Sequence, residues 1–291
     1  MDRVAEAKRL RGDGEQASAL GRPVGTPTML WLEATEARSE LQPLWEFLES
    51  YARDLCGSEF KMVMRAVPRP VGGVRHLAAR HASEMLALAV AAEVEPDCDL
   101  LLFNAWAMPV VQARALLEVP VTSISEGSLV LGSALARHLA IVTVAEGMRA
   151  GLEREIADLR LDERMCDPSV WWMNPETTHE EVCEAVMSPG PLIDKFDTVA
   201  SAAANRGADA ILVGCGYYGP IFARHGYRAV RSRPEVPVFD CATLGFAMAR
   251  ALYSAHVLGA DPAGGAYPRI SGDRQAQLRR ELARTLDGRQ S

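Results

Sequence analysis

Cys215 has the strongest chemical claim in this chain, inside Gly214-Cys215-Gly216-Tyr217-Tyr218-Gly219-Pro220. It follows the apolar run Ala210–Gly214, which reads as a strand. The glycines around it let a ligand approach closely and expose successive backbone N–H groups. A thiol placed there, ahead of a helix, is expected to have its thiolate stabilised by those donors and by the helix dipole. It can then give or take a proton at carbon, or attack an electrophile. The competing reading is a small buried hydrophobe, the commonest role of a free cysteine. Cys241 also ends a strand, in Phe239-Asp240-Cys241, but no glycines surround it and it reads as core. Cys56, Cys98, Cys166 and Cys183 make no comparable case.

Other polar residues end other strands. Thr143 closes Ala140-Ile-Val-Thr143, and Ser123, Ser125 and Glu126 close the strand before it. Hydroxyls and a carboxylate placed this way would face a common cleft, where the hydroxyls and the amides of a helix N-terminus suit a small anion. For Ser125 the alternative is a helix N-cap, with Glu126 then favouring the dipole. His76 and His81 fall on different faces of a predicted helix, and His138, His179, His225 and His256 have no partner at ligand spacing, so no metal site is expected. Arg69, Arg75 and Arg80, near the second strand, could reach a carboxylate, but a solvated face is the better reading.

Such residues need a frame to hold them. The chain has 291 residues, 48% hydrophobic and 24% charged, which fits a soluble globular protein with a large core or two smaller ones across a cleft. With 31 Lys+Arg against 38 Asp+Glu, the formal net charge of −7 offers no footprint for nucleic acid or an anionic membrane. The absence of a long uncharged apolar stretch and a polar N-terminus predict a cytoplasmic protein with free thiols.

Short apolar runs alternate with helical periodicity, the pattern of βα units around a parallel sheet covered on both faces. The runs are Met29–Leu32, Phe60–Val67, Leu100–Phe103, Val119–Ile124, Ala140–Val144, Ala210–Gly214 and Val236–Phe239. Helices are predicted between them near 37–54, 75–94, 110–117, 126–138, 147–159, 178–187, 195–206 and 242–257. Residues 166–191 break the alternation, with a strand at Trp171-Trp172 and a helix start at Thr177 and Glu180, and read as an insertion that covers a cleft or lengthens a connection.

An internal repeat sharpens this picture. Asp99-Leu-Leu-Leu-Phe-Asn-Ala105 parallels Asp209-Ala-Ile-Leu-Val-Gly-Cys215, and each copy continues through Glu-Val-Pro-Val, at Glu118 and at Glu235, into an Ala/Leu/Gly-rich helix. The expected fold is therefore α/β, with two pseudo-symmetric doubly wound lobes and a site in the cleft between them. The expected division is a tail at 1–28, one lobe at 29–140 with 242–258, a second at 141–241, and a C-terminal tail at 259–291. Ligands of open parallel sheets bind beyond the carboxyl ends of the strands, which selects the loops Asn104–Met108 and Gly214–Gly219.

Together, Asp99–Thr143 and Gly207–Leu252 resemble the aspartate/glutamate/hydantoin racemase superfamily over roughly residues 29–258. The pieces that carry the resemblance are Gly-Ala-Asp-Ala-Ile-Leu-Val-Gly-Cys ending at Cys215, Pro-Val-x-x-Ile-x-Glu at Pro120–Glu126, and the strand ending at Thr143. The resemblance implies cofactor-independent proton transfer at a carbon next to a carboxylate or carbonyl, using one cysteine from each lobe. Cys215 matches the second cysteine, and the first falls on Ala105. Glu33 stands where hydantoin-type members have asparagine, with Thr35 nearby. A single cysteine with a small residue opposite resembles the arylmalonate decarboxylase branch.

By that resemblance Cys215 is the single thiol acid/base. Gly216, Tyr217, Thr143 and Ser125 would bind carboxylate or enediolate oxygens, and Asn104 and Trp106 would shape the opposite wall with Glu33 and Thr35. The expected reaction is decarboxylation or isomerisation with one-sided protonation. The alternatives are an amino-acid or hydantoin racemase with a non-cysteine second base, and a non-catalytic small-carboxylate binder. The expected ligand is a small carboxylate or cyclic amide, without a cofactor, and a homodimer is the base-rate assembly.

Overall fold

The computed structural model describes residues 25–36, 39–68, 74–262 and 264–286. Most of the expected N-terminal tail, Arg69 among the predicted surface arginines, and the last five residues lie outside them. Among the described residues no helix is long and apolar enough to cross a membrane.

The chain forms two lobes, each built on its own sheet. In the first, β1 (Thr28–Glu36), β2 (Lys61–Val67), β3 (Leu100–Phe103) and β4 (Val121–Ser123) are ordered β2-β1-β3-β4, all parallel. In the second, β5 (Leu139–Thr143), β6 (Met165–Trp172), β7 (Ala210–Gly214), β8 (Ala229–Val230) and β9 (Arg233–Phe239) are ordered β6-β5-β7-β9-β8. Only the short edge strand β8 runs antiparallel. The first four strands of each order correspond one to one. β3, β5 and β7 are buried along their whole length, as runs covered by helices on both faces must be.

The helices are α1 (Gln42–Cys56), α2 (Leu77–Val94), α3 (Val110–Leu116), α4 (Ile124–Leu135), α5 (Arg149–Asp158), α6 (His179–Met187), α7 (Gly190–Asn205), α8 (Tyr218–Arg224), α9 (Cys241–Val257) and α10 (Asp273–Leu286). The acidic residues that open the sequence repeat do the same work in both lobes. Asp99 accepts the Thr28 N–H at 2.7 Å, pinning the start of β1, while Asp209 accepts the Arg137 and His138 N–H groups just ahead of β5. The repeat helices are also capped alike. Ser123 accepts the Glu126 N–H at 3.0 Å, and Asp240 accepts those of Ala242 and Thr243 at 2.9 and 3.0 Å.

Those two helices, α4 and α9, pack on each other, which returns the chain from the second lobe to the first. Glycines make the crossing close: a Cβ on Gly245 would lie 2.8 Å from the Ile124 Cα, and one on Gly127 would lie 2.7 Å from the Gly245 Cα.

Three expectations change. Residues 166–191 are no insertion: β6 takes the place in its sheet that β2 takes in the first, and the helix start is shifted by one residue, with Thr178 and Glu181 forming a reciprocal capping box. The C-terminal segment is not all tail, because α10 lays Leu278, Leu282 and Leu286 against the first lobe's core. Arg279 fixes it there through Glu95 at 2.5 Å and the Ala92 carbonyl at 2.9 Å. Finally, Arg80 is buried rather than solvated, because Gly151 leaves the room its guanidinium occupies.

Candidate active site

The carboxyl ends of both sheets open onto one cavity of about 470 Å³ between the lobes. The first lobe contributes Glu33 and Thr35 from β1 and the loop Asn104–Trp106 after β3; the second contributes Gly214–Tyr218 after β7. Thr178, His179 and Val182 wall the cavity from the start of α6, so the segment expected to cover the cleft does line it. Arg75 and His76, ahead of α2, complete the opposite rim. Arg75 also reaches across to the second lobe, donating to Glu176 at 3.1 Å and to the Thr177 carbonyl at 2.6 Å.

Cys215 follows β7, half-buried in the cavity wall. The backbone N–H groups of Tyr217 and Tyr218 favour its thiolate, and so does Arg75. Burial outweighs all three and, with a smaller push from Glu33, raises the thiol to about 11. The expected backbone donors are present, but burial outweighs them, so the resting group is a thiol, suited to donating a proton. Gly216 has to be glycine, since a Cβ there would lie 2.8 Å from the Asn104 carbonyl oxygen of the facing loop. Cys241 is buried core, with its Sγ 3.3 Å from the Cys215 carbonyl.

Glu33 is the most unusual side chain in the wall. It is 1% exposed. Asn104 Nδ2 donates to its Oε1 at 2.6 Å and Trp31 Nε1 to the same oxygen at 2.9 Å. These bonds favour the carboxylate, but burial opposes them more strongly and pushes the group up to about 8. Thr35 and Tyr217 share a short hydroxyl–hydroxyl hydrogen bond that joins the lobes across the cavity. Trp106 is buried in the same wall and contributes apolar surface.

Two site residues expected from the sequence have a different place. Thr143 is fully buried and donates to the Gly214 carbonyl at 2.8 Å, so its hydroxyl shapes the β5–β7 junction under Cys215 and does not line the cavity. Ser125 faces away as well. It donates to Glu155 at 2.6 Å and accepts from the Ala107 N–H at 3.3 Å, while Ser123 takes the capping position. The reason is geometric: the helix begins at Ile124, so Ser125 already lies inside α4. Glu126 forms a bidentate pair with Arg114 at 2.8 and 2.7 Å, behind the site.

The sheet registers fix which positions correspond. β1 pairs Leu32 with Phe103, and β5 pairs Val142 with Val213. Glu33 is thus the counterpart of Thr143, Asn104 of Gly214, and Ala105 of Cys215. Arg75 joins the cavity wall instead of the expected solvated face, and His179 joins it without any sequence signal, since it ends no strand. Glu33 is expected in the site, but its special character comes from burial, which the sequence does not announce.

Two lobes of one topology, meeting at a cavity with a thiol at a strand end, define a two-lobed α/β fold of the racemase class. The family model for Asp/Glu/hydantoin racemase matches residues 72–249, and the chain belongs to that family. Similar solved structures are allantoin racemase from Pseudomonas fluorescens (TM-score 0.69, 17% identity, covering 84% of this chain and 98% of that one) and allantoin racemase from Klebsiella pneumoniae (TM-score 0.67, 16% identity, 86% and 98%). Glutamate racemase from Bacillus anthracis is similar at a TM-score of 0.56 and 10% identity, covering 83% of this chain and 91% of that one. At these identities the likeness is one of fold. No curated protein matches the sequence.

Proposed function

We propose that this protein catalyses cofactor-independent proton transfer at a carbon next to a carboxylate or amide carbonyl of a small acid or cyclic amide, with Cys215 as an acid/base. The observation that carries this reading is the placement of Cys215: it directly follows β7 at the wall of the interlobe cavity, with backbone N–H groups and Arg75 favouring its charged form. In one direction the Cα–H bond breaks, its proton passes to a base, and the electron pair moves into the adjacent carbonyl. The Cys215 S–H then returns a proton to that carbon. The Gly216 backbone N–H and the Thr35–Tyr217 hydroxyl pair, which line the same cavity, would hold the developing oxyanion.

Ala105 supplies no acid or base opposite the thiol, which by itself favours one-sided chemistry such as decarboxylation. Glu33 in the same cavity favours the two-sided alternative, a racemase with a non-cysteine second base.

The test is exchange of the α-hydrogen in D2O, read by NMR, for both enantiomers of glutamate, aspartate, allantoin and 5-benzylhydantoin, with CO2 release from phenylmalonate in parallel. At least one probe is expected to exchange or lose CO2, and Cys215→Ser to slow that reaction by about 100-fold or more. A folded Cys215→Ser variant with most of the wild-type rate removes the assignment. Binding of a probe with neither exchange nor product moves the protein to the binder reading.

A further inference from the structure

We infer that Glu33 is the acid/base on the first-lobe face of the substrate, paired through the cavity with Cys215 on the other face, so that the enzyme racemises with one carboxyl and one thiol. This rests on the proton-transfer reading above and extends it to the residue that replaces a second thiol.

The repeat supplies the starting point. In the first lobe the position equivalent to Cys215 is Ala105, whose methyl group can carry no proton. The neighbouring strand end differs between the lobes in the opposite sense. The second lobe has Thr143, whose hydroxyl is spent on the Gly214 carbonyl, and the first has the carboxyl of Glu33. Each lobe therefore offers the cavity one group able to exchange a proton at the carboxyl end of a central strand.

Position supports the pairing. Glu33 and Cys215 line the same cavity from different lobes, and the charge of Glu33 is felt at Cys215. Asn104 connects them: its Nδ2 donates to Glu33, and both its Nδ2 and its carbonyl oxygen abut Gly216, next to the thiol. Both hydrogen bonds to Glu33 end on Oε1, and Oε2 takes neither. A buried carboxyl held by two neutral donors, an amide and an indole, is costly to keep charged, and such groups cluster at functional sites. Its environment keeps it largely protonated at neutral pH, so it does not repel a substrate carboxylate.

The proton balance closes. At rest both groups are protonated; once Glu33 has given its proton to solvent, its carboxylate takes the α-proton of one enantiomer and the C–H electron pair enters the carbonyl. The Cys215 S–H bond then breaks to protonate the opposite face, which leaves Glu33 as the acid and Cys215 as the thiolate. The other enantiomer runs the same steps in reverse from that state. Both states hold one proton on the pair, so one proton moved through solvent resets the site.

The test combines exchange with thiol chemistry. For a probe from the panel above that wild-type enzyme exchanges, each enantiomer is followed separately in D2O with wild type, Glu33→Gln, Glu33→Asp and Cys215→Ser. Wild type is expected to exchange both enantiomers. Glu33→Gln should lose exchange of one by about 100-fold or more while keeping the other within about tenfold. Cys215→Ser should show the opposite selectivity, and Glu33→Asp should recover part of the loss. If wild type exchanges only one enantiomer, or if Glu33→Gln exchanges both as wild type does, Glu33 is not the second acid/base although the proton-transfer reading stands.

A second measurement needs no substrate. Iodoacetamide labelling of Cys215 is followed from pH 7 to 11 in wild type, Glu33→Gln and Glu33→Asp. The other groups around the thiol are Arg75 and His76 ahead of α2, His179 on α6, Tyr217 and Tyr218 in its own loop, and Cys241 on α9. They are common to all three proteins. Glu33→Gln removes a negative charge and should move the profile to lower pH, whereas Glu33→Asp should leave it near wild type. Coincident profiles overturn the pairing even if no probe turns over.

Discussion

Replacing Glu33 by glutamine should stabilise the fold increasingly as the pH rises, and the size of the change follows from the burial of the carboxyl. In the folded protein this group titrates near 8, against an ordinary value of 4.5, because transfer from water outweighs the bonds from Asn104 and Trp31. Below pH 4.5 it is protonated in both the folded and the unfolded chain, and no ionisation cost arises. Between 4.5 and 8 the unfolded chain loses the proton and the folded chain keeps it, so folding loses stability as pH rises. Above 8 both forms are ionised and the cost is constant. At about 1.4 kcal/mol per pH unit the full cost is at most about 5 kcal/mol. Glutamine keeps the shape and an acceptor for Asn104 and Trp31 but never ionises. The assay is urea unfolding of wild type and Glu33→Gln at intervals from about pH 5 to 9, taking the difference so that all other titrations cancel. The variant should gain on wild type steadily until the folded carboxyl ionises. A difference constant to within about 0.5 kcal/mol would refute the buried carboxyl and the site built on it.

Two further predictions concern the frame. Gly245→Ala brings a Cβ to 2.8 Å from the Ile124 Cα, a backbone atom that cannot rotate away, so α4 and α9 must separate. We expect a loss of about 1–3 kcal/mol and a fall of several degrees in Tm by calorimetry; an unchanged Tm would mean that the two helices do not cross this closely. Glu126→Ala leaves the partly buried Arg114 guanidinium with only the Val121 carbonyl and Tyr267 as partners and should cost about 1–3 kcal/mol in denaturant unfolding. A loss below about 0.5 kcal/mol would show the pair to be solvated.

The frame is legible in the sequence because its signals are local. Buried strands such as Leu100–Phe103 and Ala210–Gly214 announce themselves as short apolar runs, and the Asp…Glu-Val-Pro-Val repeat predicts two like lobes. The structure adds why the repeat begins with aspartate: in each lobe that side chain accepts backbone N–H groups at the start of the neighbouring strand. What stays hidden depends on contacts between distant segments. Arg80 looks like a surface residue until Gly151, on another helix, makes space for it. Ser125 looks like a cleft residue until the helix is seen to begin at Ile124, turning it toward Glu155. The C-terminal helix carries a readable signal in Leu278, Leu282 and Leu286, spaced by four, which the surrounding charges mask.

The chemistry of a duplicated fold lies where the halves stop matching. Common positions, Asp99 with Asp209 and Ser123 with Asp240, serve strand starts and helix caps, and their equivalence is what lets the lobes face each other. Three neighbouring pairs differ; Asn104 against Gly214 brings no acid or base, while in Ala105 against Cys215 and Glu33 against Thr143 the two members suited to exchange a proton with carbon, Cys215 and Glu33, line the shared cavity. Restoring symmetry therefore has a directional consequence. Ala105→Cys alone would place a thiol opposite Cys215 while Glu33 still occupies the same wall. Ala105→Cys with Glu33→Asn would recreate the two-thiol arrangement that the resemblance implies. If Glu33 does the work of the missing cysteine, the double variant should recover exchange of the enantiomer that Glu33→Gln loses. If that enantiomer is not recovered although the double variant folds and its introduced thiol can be alkylated, the two positions are not interchangeable, and the carboxyl's role is not that of a substituted thiol.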